Sequence, residues 1–311
     1  MQTKRELLRS VPGSASAVRP RHARQHAPNL WYFAVPTLSL NVVIVAVPAA
    51  LTILLAFFSW DGIGTPVFIG GRNFATLLAD PIFWHSLGNN LKWMLIFLTL
   101  PVFLGLLLAS QLYVVRRGKT FFQLAFFLPH VIASVVIARI WQGMIYSPST
   151  GLFSVLNQLF PALDLQSPLA QTSTSLYGVA LTDMWQWWGF LGVVFFSALR
   201  QVDVQQVEAG LVEGASTTQI FRHILIPSIR PTLVLMLVMT VIWSFVAFEY
   251  VYVLTAGGPA FSSELLSTMA YRQAFTDFNV GQAAATSVII GALGLIATTV
   301  YVRLQNKDGD L

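Results

Sequence analysis

The sequence predicts an all-α integral membrane protein with six transmembrane helices and both termini on one side of the membrane. Three observations lead to this prediction: an apolar composition, six apolar runs long enough to span a bilayer, and basic residues that collect on one side of those runs. Of the 311 residues, 55% are hydrophobic and only 10% are charged, whereas soluble domains average about 25% charged residues. So few charges cannot cover a water-facing surface, which excludes an ordinary soluble protein.

Each of the six apolar runs exceeds the roughly 20 residues that cross the hydrocarbon core as a helix. Several runs contain proline, which a helical bundle tolerates because neighbouring helices can bond the freed carbonyls. The predicted spans are residues 31–58, 90–112, 121–146, 176–199, 231–254 and 281–304.

Lysine and arginine predict the orientation, because cytoplasmic loops carry an excess of both. The opposite loops hold only Arg72 and Arg272, so both termini are predicted to be cytoplasmic. Residues 1–29 are predicted to be a solvated basic cytoplasmic tail, with contact to lipid or a partner as the alternative. Residues 30–311 are predicted to form the transmembrane permease domain. The predicted cytoplasmic residues are Lys4, Arg5, Arg9, Arg19, Arg21, Arg24, Arg116, Arg117, Lys119, Arg200, Arg222, Arg230, Arg303 and Lys307.

A polar segment, residues 200–230, separates spans four and five on the predicted cytoplasmic side, and most of it belongs to the stretch EAGLVEGASTTQIFRHILIPSIRP, residues 208–231. Asp203 is placed to cap a short helix, and Gly214 is a natural stop for it. Ser216 and Gln219 fit a capping box that starts a second helix, and Pro227 ends or kinks that helix. The pattern predicts two short helices with a turn at Gly214.

This connection uses about 30 residues where 2–8 join neighbouring helices. Its length and helix caps favour a docking surface, although an amphipathic connecting loop is the plain alternative.

The segment resembles the EAA loop of ABC importer permeases, the membrane subunits of binding-protein-dependent uptake systems. Three positions of the loop depart from the family pattern: Gly210 replaces alanine, Glu213 replaces aspartate and Ile226 replaces leucine. Gly210 should loosen the first helix by up to about 1 kcal/mol relative to alanine. The matching residues are Glu208, Ala209, Gly210, Glu213, Gly214, Ala215, Ile224, Ile226 and Pro227.

Four further stretches resemble the carbohydrate-uptake branch of this family, so that the resemblance covers most of residues 86–300. The stretches are FFQLAFFLPHV (121–131), DMWQWWGF (183–190), LTAGGP (254–259) and GQAAA (281–285). The resemblance implies a type I, MetI-like permease fold in a bacterial or archaeal cytoplasmic membrane. It also implies half of a carbohydrate pathway, a second permease subunit (favouring a heterodimer), an ATP-binding cassette ATPase dimer and an extracytoplasmic solute-binding protein.

The same resemblance implies that the loop is a coupling helix seated in a groove of the ATPase. Glu208 and Glu213 would pair with basic residues of that partner. The other implied coupling residues are Ala209, Gly210, Leu211, Val212, Gly214, Ala215, Phe221 and Pro227.

The chain is not expected to be an enzyme. It has no G-x-x-x-x-G-K-[ST] motif to hold ATP phosphates, no cysteine, and five scattered histidines that give no metal site. His130 is expected to be a packed or cavity-edge side chain. No cofactor is expected in this chain, because ATP and Mg²⁺ belong to the partner ATPase, and the dispersed basic residues exclude nucleic acid.

Three ionisable residues inside predicted spans are candidates for the substrate path, since such groups are costly in a membrane. Arg139, Asp183 and Glu249 lie about 8–10 Å from the predicted outer ends of their spans. They could form a structural ion pair or triad, or line a translocation cavity, and both roles can coexist.

Asp183, Gln186, Trp187 and Phe190 share one helical face, where aromatic rings could stack on sugar rings. An interfacial aromatic belt is the alternative for the tryptophans of this span. On span five, Glu249 and Tyr252 share a face beside Tyr250. The stretch 255–259 is either a contact for the binding protein or gate, or a simple Gly-Pro turn.

Two other functions stay open from the residues alone. An ion-coupled secondary transporter could use Asp183 or Glu249 as its ion site, although no internal repeat of the kind common in such carriers is evident. A membrane scaffold without transport is weakened by the ionisable groups inside the spans.

Overall fold

The structure is a computed structural model that describes residues 31–115 and 117–308. The predicted basic tail, residues 1–29, lies outside the described residues, as does Arg116. The described chain is helical apart from one short antiparallel ladder between β1 (Phe58–Ser59) and β2 (Val67–Phe68).

Fifteen α-helices follow one another in the described residues, with short π-helical or 3₁₀ segments between some of them. They are α1 (Trp31–Asn41), α2 (Val47–Leu55), α3 (Arg72–Ala79), α4 (Pro81–Val114), α5 (Lys119–Val131), α6 (Ser134–Ile140), α7 (Leu152–Leu159), α8 (Ser175–Leu199), α9 (Val204–Val212), α10 (Thr217–Ile220), α11 (Ile226–Ser228), α12 (Arg230–Val246), α13 (Glu249–Leu254), α14 (Leu266–Phe275) and α15 (Val280–Asp308).

Three helices of the described chain are long and apolar enough to cross a membrane, and two bent helix pairs bring the number of candidates to as many as five. The predicted span that is missing from these candidates is the fourth, 176–199, which corresponds to the 25-residue helix α8. Asp183, Gln186 and three tryptophans reduce the apolar character of α8. The three single-helix candidates are Ala34–Leu55, Pro81–Val114 and Val280–Arg303.

The chain divides into two units, Met1–Pro48 and Ala49–Leu311. Of the first unit, the structure describes α1, a π-helical turn and the first residues of α2. Their described side chains are almost all exposed although they are apolar. A helix that is apolar all round and unburied within its own chain suits a lipid environment.

In the second unit, α4 and α8 cross closely because each carries a glycine at the contact. A Cβ on Gly105 would lie 2.9 Å from the Cβ of Leu191, and one on Gly192 would lie 2.5 Å from Cδ2 of Leu108. Small residues allow this approach, which drives helix association in membranes through packing. An apolar core surrounds the crossing.

Gly189 brings α8 equally close to α5. A Cβ at this position would lie 2.0 Å from the carbonyl oxygen of Phe126. Since that neighbour is backbone, it cannot rotate away, so the contact requires glycine.

The third predicted span, 121–146, is wrong as a single straight helix. It consists of α5 and a second segment, Ser134–Ile145, which meet at an angle of 96°. Ile132 and Ala133 have extended backbone between them. The apolar run gives the length of the span but not its direction, because the break depends on a contact from another helix, described below.

The fifth predicted span, 231–254, is also interrupted. α12 ends at Val246, and α13 begins only at Glu249. The side chain of Asn90 on α4 holds this region: its amide group donates to the Ser244 carbonyl at 2.7 Å, and its oxygen accepts from the Leu266 N–H at 2.8 Å. The hydroxyl of Ser267 donates to the Ala247 carbonyl at the break itself.

Two further elements differ from the sequence-based expectation. The second span begins at Pro81 rather than near residue 90, because the Asp80 carboxylate caps it by accepting from the Ile82 N–H at 2.8 Å. α14, between spans five and six, was not predicted, since its mixed composition gives a weak apolar pattern.

The start of α15 explains physically why the stretch GQAAA begins with glycine. A Cβ on Gly281 would lie 2.0 Å from the Phe58 carbonyl oxygen and 2.9 Å from Nδ2 of Asn73. The Trp60 carbonyl accepts from the Val280 N–H at 2.9 Å. The β1–β2 ladder and the residue that follows β1 therefore contact the first turn of α15 directly.

The close contact at Gly189 makes a stability prediction. We expect Gly189→Ala to lower the free energy of unfolding by about 1–3 kcal/mol, the usual cost of overpacking. The loss should appear as a lower midpoint of thermal unfolding in detergent. Gly291→Ala on α15 is the matched control, because no atom lies within 4 Å of the added methyl group. Equal midpoints for the two variants would contradict the close crossing of α5 and α8.

Candidate functional site

A cavity with polar and aromatic lining lies in the second unit, between α4, α5, α8, α12 and α13. Its volume is about 530 Å³. Both helix breaks open onto it: His130 lines it next to the first break, and Ala247 and Phe248 line it at the second. The remaining lining residues are Trp93, Phe97, Asp183, Gln186, Trp187, Thr240, Trp243, Ser244, Val246, Glu249, Tyr250 and Val251.

Five of the eight residues predicted for the substrate path line this cavity: Asp183, Gln186, Trp187, Glu249 and Tyr250. The other three do not. Phe190 lies behind the wall, where its ring packs on His130 at 4.5 Å and on Trp187 at 5.1 Å between centroids. Tyr252 turns away to pack against Phe248 and Tyr271.

Arg139 is exposed and donates to Oε1 of Gln142 at 2.7 Å. In the described residues it forms no ion pair, so the ion triad with Asp183 and Glu249 considered from the sequence does not form. The sequence-based estimate puts the three residues at similar depth in straight spans. The 96° bend in the third predicted span directs Arg139 elsewhere, and this bend is not visible in the apolar pattern.

The two carboxyl groups of the cavity have different surroundings. Glu249 accepts a hydrogen bond from Oγ of Ser134 at 2.5 Å. Asp183 accepts none from any residue that the structure describes. Two carboxyl groups therefore line one cavity whose described lining includes the His130 imidazole but no lysine or arginine.

Gln186 connects three elements. Its amide nitrogen is near the carbonyl of His130, at 3.4 Å, and the carbonyl of Ile132, at 3.2 Å, both at the first helix break. Its oxygen accepts from the Tyr250 hydroxyl at 2.7 Å. Gln186 thus satisfies backbone carbonyls freed by the break, which is a structural role beside its place in the cavity wall.

The tryptophans of α8 divide between the two roles considered from the sequence. Trp185 is partly exposed and contacts Trp141, whereas Trp188 packs edge-on against Phe126. Trp187 is 8% exposed and meets Trp243 edge-to-face at 4.4 Å. Only Trp187 of the three lines the cavity, and its indole N–H is buried with no acceptor among the described residues.

Several cavity residues escaped sequence reasoning. Trp93, Phe97, Thr240, Trp243 and Ser244 sit in apolar spans, where nothing in the helical period separates a cavity wall from a lipid-facing or core position. Their only signal is the presence of hydroxyl groups and indoles in otherwise aliphatic runs. His130 lines the cavity and its Nδ1 atom is buried without a partner in the described residues.

The polar segment 200–230, called the polar loop from here on, follows the other end of α8 and has the two-helix structure that its caps predict. The Asp203 carboxylate accepts from the Gln205 N–H at 2.9 Å and caps α9. Gly214 has φ +82°. The Ala215 N–H donates to the Gly210 carbonyl and the Gly214 N–H donates to the Leu211 carbonyl, which is a Schellman motif.

The second helix of the loop begins with the predicted capping box. The Ser216 N–H donates to Oε1 of Gln219 at 2.7 Å, and the Gln219 N–H donates to Oγ of Ser216 at 3.4 Å. Beyond it, Pro227 lies in the first turn of α11, and the chain turns by 69° into α12.

The side chains of this loop divide into an inner and an outer set. Ala215 and Phe221 pack against the core of their own chain, with the Phe221 ring edge-on to Tyr113 at 5.8 Å. Gly210 is buried because α9 leans on Ile224, whose Cδ1 would lie 2.9 Å from an added Cβ. Among the residues that the resemblance implies in coupling, the exposed set has six side chains: Glu208, Ala209, Leu211, Val212, Glu213 and Pro227.

A comparison with known families identifies the chain. The family described as "Binding-protein-dependent transport system inner membrane component" matches residues 94–307, which include the polar loop and every cavity-lining residue except Trp93. The chain belongs to this family. It is the permease subunit of an ABC importer and not an enzyme, and the ion-coupled alternative is not supported.

Relatives of the permease agree over nearly its full length. A probable ABC transporter permease protein of Pyrococcus horikoshii is 34% identical over 295 residues, which cover 91% of this chain and 99% of the relative. A probable starch degradation products transport system permease protein of Thermoanaerobacterium thermosulfurigenes is 28% identical over 277 residues, covering 89% of this chain and 94% of the relative.

A solved structure has the same fold. A bacterial alginate ABC transporter, in complex with an alginate pentasaccharide-bound periplasmic protein, matches with a TM-score of 0.79 at 23% identity. The match covers 89% of this chain and 94% of that chain. At this identity the likeness concerns the fold, and it agrees with the type I permease fold that the sequence resemblance implied.

The loop after α13 in the permease is built around a buried carboxylate. Glu264 is 1% exposed and pairs with Nε of Arg272 at 3.3 Å. Burial raises the pKa of the Glu264 carboxyl, while Arg272 opposes that shift. Gly257, in the stretch TAGGP, has φ +85° and leaves no room for a Cβ beside the Glu264 carboxylate, so this stretch is more than a simple turn.

The bonds of Gln186 make a prediction that concerns stability rather than transport. Gln186→Leu leaves two backbone carbonyls and the Tyr250 hydroxyl without this partner, so we expect a loss of about 1–3 kcal/mol in the free energy of unfolding. Thermal unfolding in detergent measures it. Gln171→Leu, at an exposed position, is the control, and a midpoint as high as that of the control would show that the break does not depend on Gln186.

Proposed function

We propose that this permease forms half of the pathway by which an ABC importer moves a carbohydrate across the inner membrane of a bacterium or archaeon. The observation that carries the proposal is the cavity, whose wall combines aromatic rings with carboxyl, amide and hydroxyl groups. Aromatic faces suit the apolar faces of sugar rings, and polar groups suit their hydroxyls. The printed names of the starch-product relative and the alginate transporter support the same class of substrate.

We propose six membrane spans with both termini in the cytoplasm. Five candidate spans and α8, which is 25 residues long, support the number. The concentration of lysine and arginine in the termini and in the loops after α4 and α8 supports the orientation. In this orientation the polar loop faces the cytoplasm, and α14 with the Glu264 loop faces outward.

The polar loop is then the coupling element that docks on a separate ATPase dimer, which binds ATP and Mg²⁺. Its exposed set supplies what a docking surface needs: Leu211 is 56% exposed and Val212 is 88% exposed, with the carboxylates of Glu208 and Glu213 on the same short helix end. Apolar side chains this open to solvent at a capped helix end gain free energy when a partner covers them.

Two further partners complete the proposal. A second permease subunit, in a heterodimer, supplies the other half of the pathway, and a solute-binding protein delivers the sugar from outside.

Ala215 and Phe221 act indirectly, because they hold the loop on its own chain instead of touching the ATPase.

The carbohydrate proposal is tested by uptake into proteoliposomes that contain the complete transporter and its binding protein. We expect ATP-dependent uptake of a sugar, and a loss of about tenfold in Trp243→Ala, which corresponds to about 1.4 kcal/mol of lost sugar stacking. Trp84→Ala, at an exposed position outside the cavity, is the control. Transport of amino acids or peptides, with no uptake of any sugar, would overturn the proposal.

The coupling proposal is tested with Glu213→Lys and Leu211→Asp, both at exposed positions where folding should persist. We expect each to reduce ATPase binding and ATP-driven uptake by at least about tenfold, a docking loss of about 1.4 kcal/mol. Co-purification with the ATPase measures binding. Asp164→Lys, in the exposed loop before α8, is the charge-matched control. If the loop variants bind and transport like this control, the loop is a connector only.

A further inference from the structure

We infer that the cavity selects a carbohydrate that carries a positively charged amino group, and that it rejects sugars bearing a carboxylate or phosphate. This inference rests on the proposed carbohydrate function and narrows the class of substrate. It comes from the charges, the aromatic rings and the unpartnered polar atoms of the cavity wall.

The charges of the wall are one-sided. Asp183 and Glu249 line the cavity, and the described lining includes no lysine or arginine. The two basic side chains nearest in sequence to lining positions are engaged elsewhere. Lys92 contacts Oδ1 of Asn89, at 3.4 Å, and Arg139 bonds Gln142. An anionic sugar would therefore meet two carboxyl groups with no compensating cation from this subunit.

The acidic pair also lacks internal compensation. Asp183 accepts no hydrogen bond in the described chain, and Glu249 has only the Ser134 hydroxyl. Ionisable groups at membrane depth are normally paired with each other or with opposite charge. A ligand ammonium group in the cavity would supply the missing positive charge.

The aromatic part of the wall favours the same ligand. Trp93, Trp187, Trp243, Phe97, Phe248 and Tyr250 line the cavity together with the two acids. Rings around a carboxyl pair are the combination that binds organic ammonium groups, because the ring face attracts a cation. The same rings can stack on the body of the sugar.

A second observation points to a ligand independently of charge. Trp187 is 8% exposed, and its indole N–H has no acceptor in the described residues. The Nδ1 atom of His130 is also buried and has no hydrogen-bond partner there. Both residues line the cavity. Buried polar atoms normally have partners, so these atoms are suited to sugar hydroxyls.

The test uses the complete transporter in nanodiscs without the binding protein, so that selection by that protein does not enter. Binding is followed by tryptophan fluorescence with three disaccharides of the same linkage, built from glucosamine, glucose or glucuronic acid. We expect the amino disaccharide to bind more tightly than the acidic one by at least about tenfold, with the neutral one between them. Asp183→Asn and Glu249→Gln should bring the amino and neutral disaccharides within about threefold of each other.

The ratio between two sugars in one sample does not depend on the fraction of folded protein, so a purely structural role of the acids would leave it unchanged. Asp164→Asn, outside the cavity, is the control and should keep the wild-type ratio. If the neutral or acidic disaccharide binds as tightly as the amino one, the inference is wrong while the carbohydrate proposal stands. If no sugar of any charge binds or is taken up, both fail.

Discussion

The architecture depends on one constraint: two spans are broken at membrane depth, and the backbone carbonyls freed there need donors that lipid cannot provide. Side chains from neighbouring helices meet this need. Gln186 bonds the carbonyls at the break between α5 and α6. Asn90 bonds the last turn of α12 and the start of α14, and Ser267 bonds the carbonyl of Ala247. Each break is thus stabilised by one or two polar residues from other elements.

These bonds need short distances between helices, which the glycines of α8 and α4 provide. Gly189 brings α8 against the backbone of α5, so that Gln186, one turn earlier, can reach the carbonyls beyond Pro129. Gly192 and Gly105 fix α8 against α4. The cavity follows from the same arrangement, because the breaks turn the chain aside and leave space where two continuous helices would have packed.

The difference between what could and could not be predicted from the sequence has a physical basis. The caps at Asp203 and Ser216 and the turn at Gly214 involve residues within a few positions of each other, so local patterns predicted them. The breaks at Ile132 and Ala247 depend on partners 20 or more residues away. One sequence contains no sign of those pairings, which explains why an ion pair or triad of Arg139 with Asp183 and Glu249 stays open from the sequence although the bend directs Arg139 elsewhere.

α12 joins the two functional regions, which gives the proposed coupling a physical route. Its first residue follows the 69° turn at the end of the polar loop, and its last residues, Val246 and the adjoining Ala247, line the cavity. Ile220, Leu225 and Ile229 bury the base of the loop in the same core as α4 and α8. A force on the exposed α9 tip would therefore reach the core through packed side chains, and α12 would carry it to the second break.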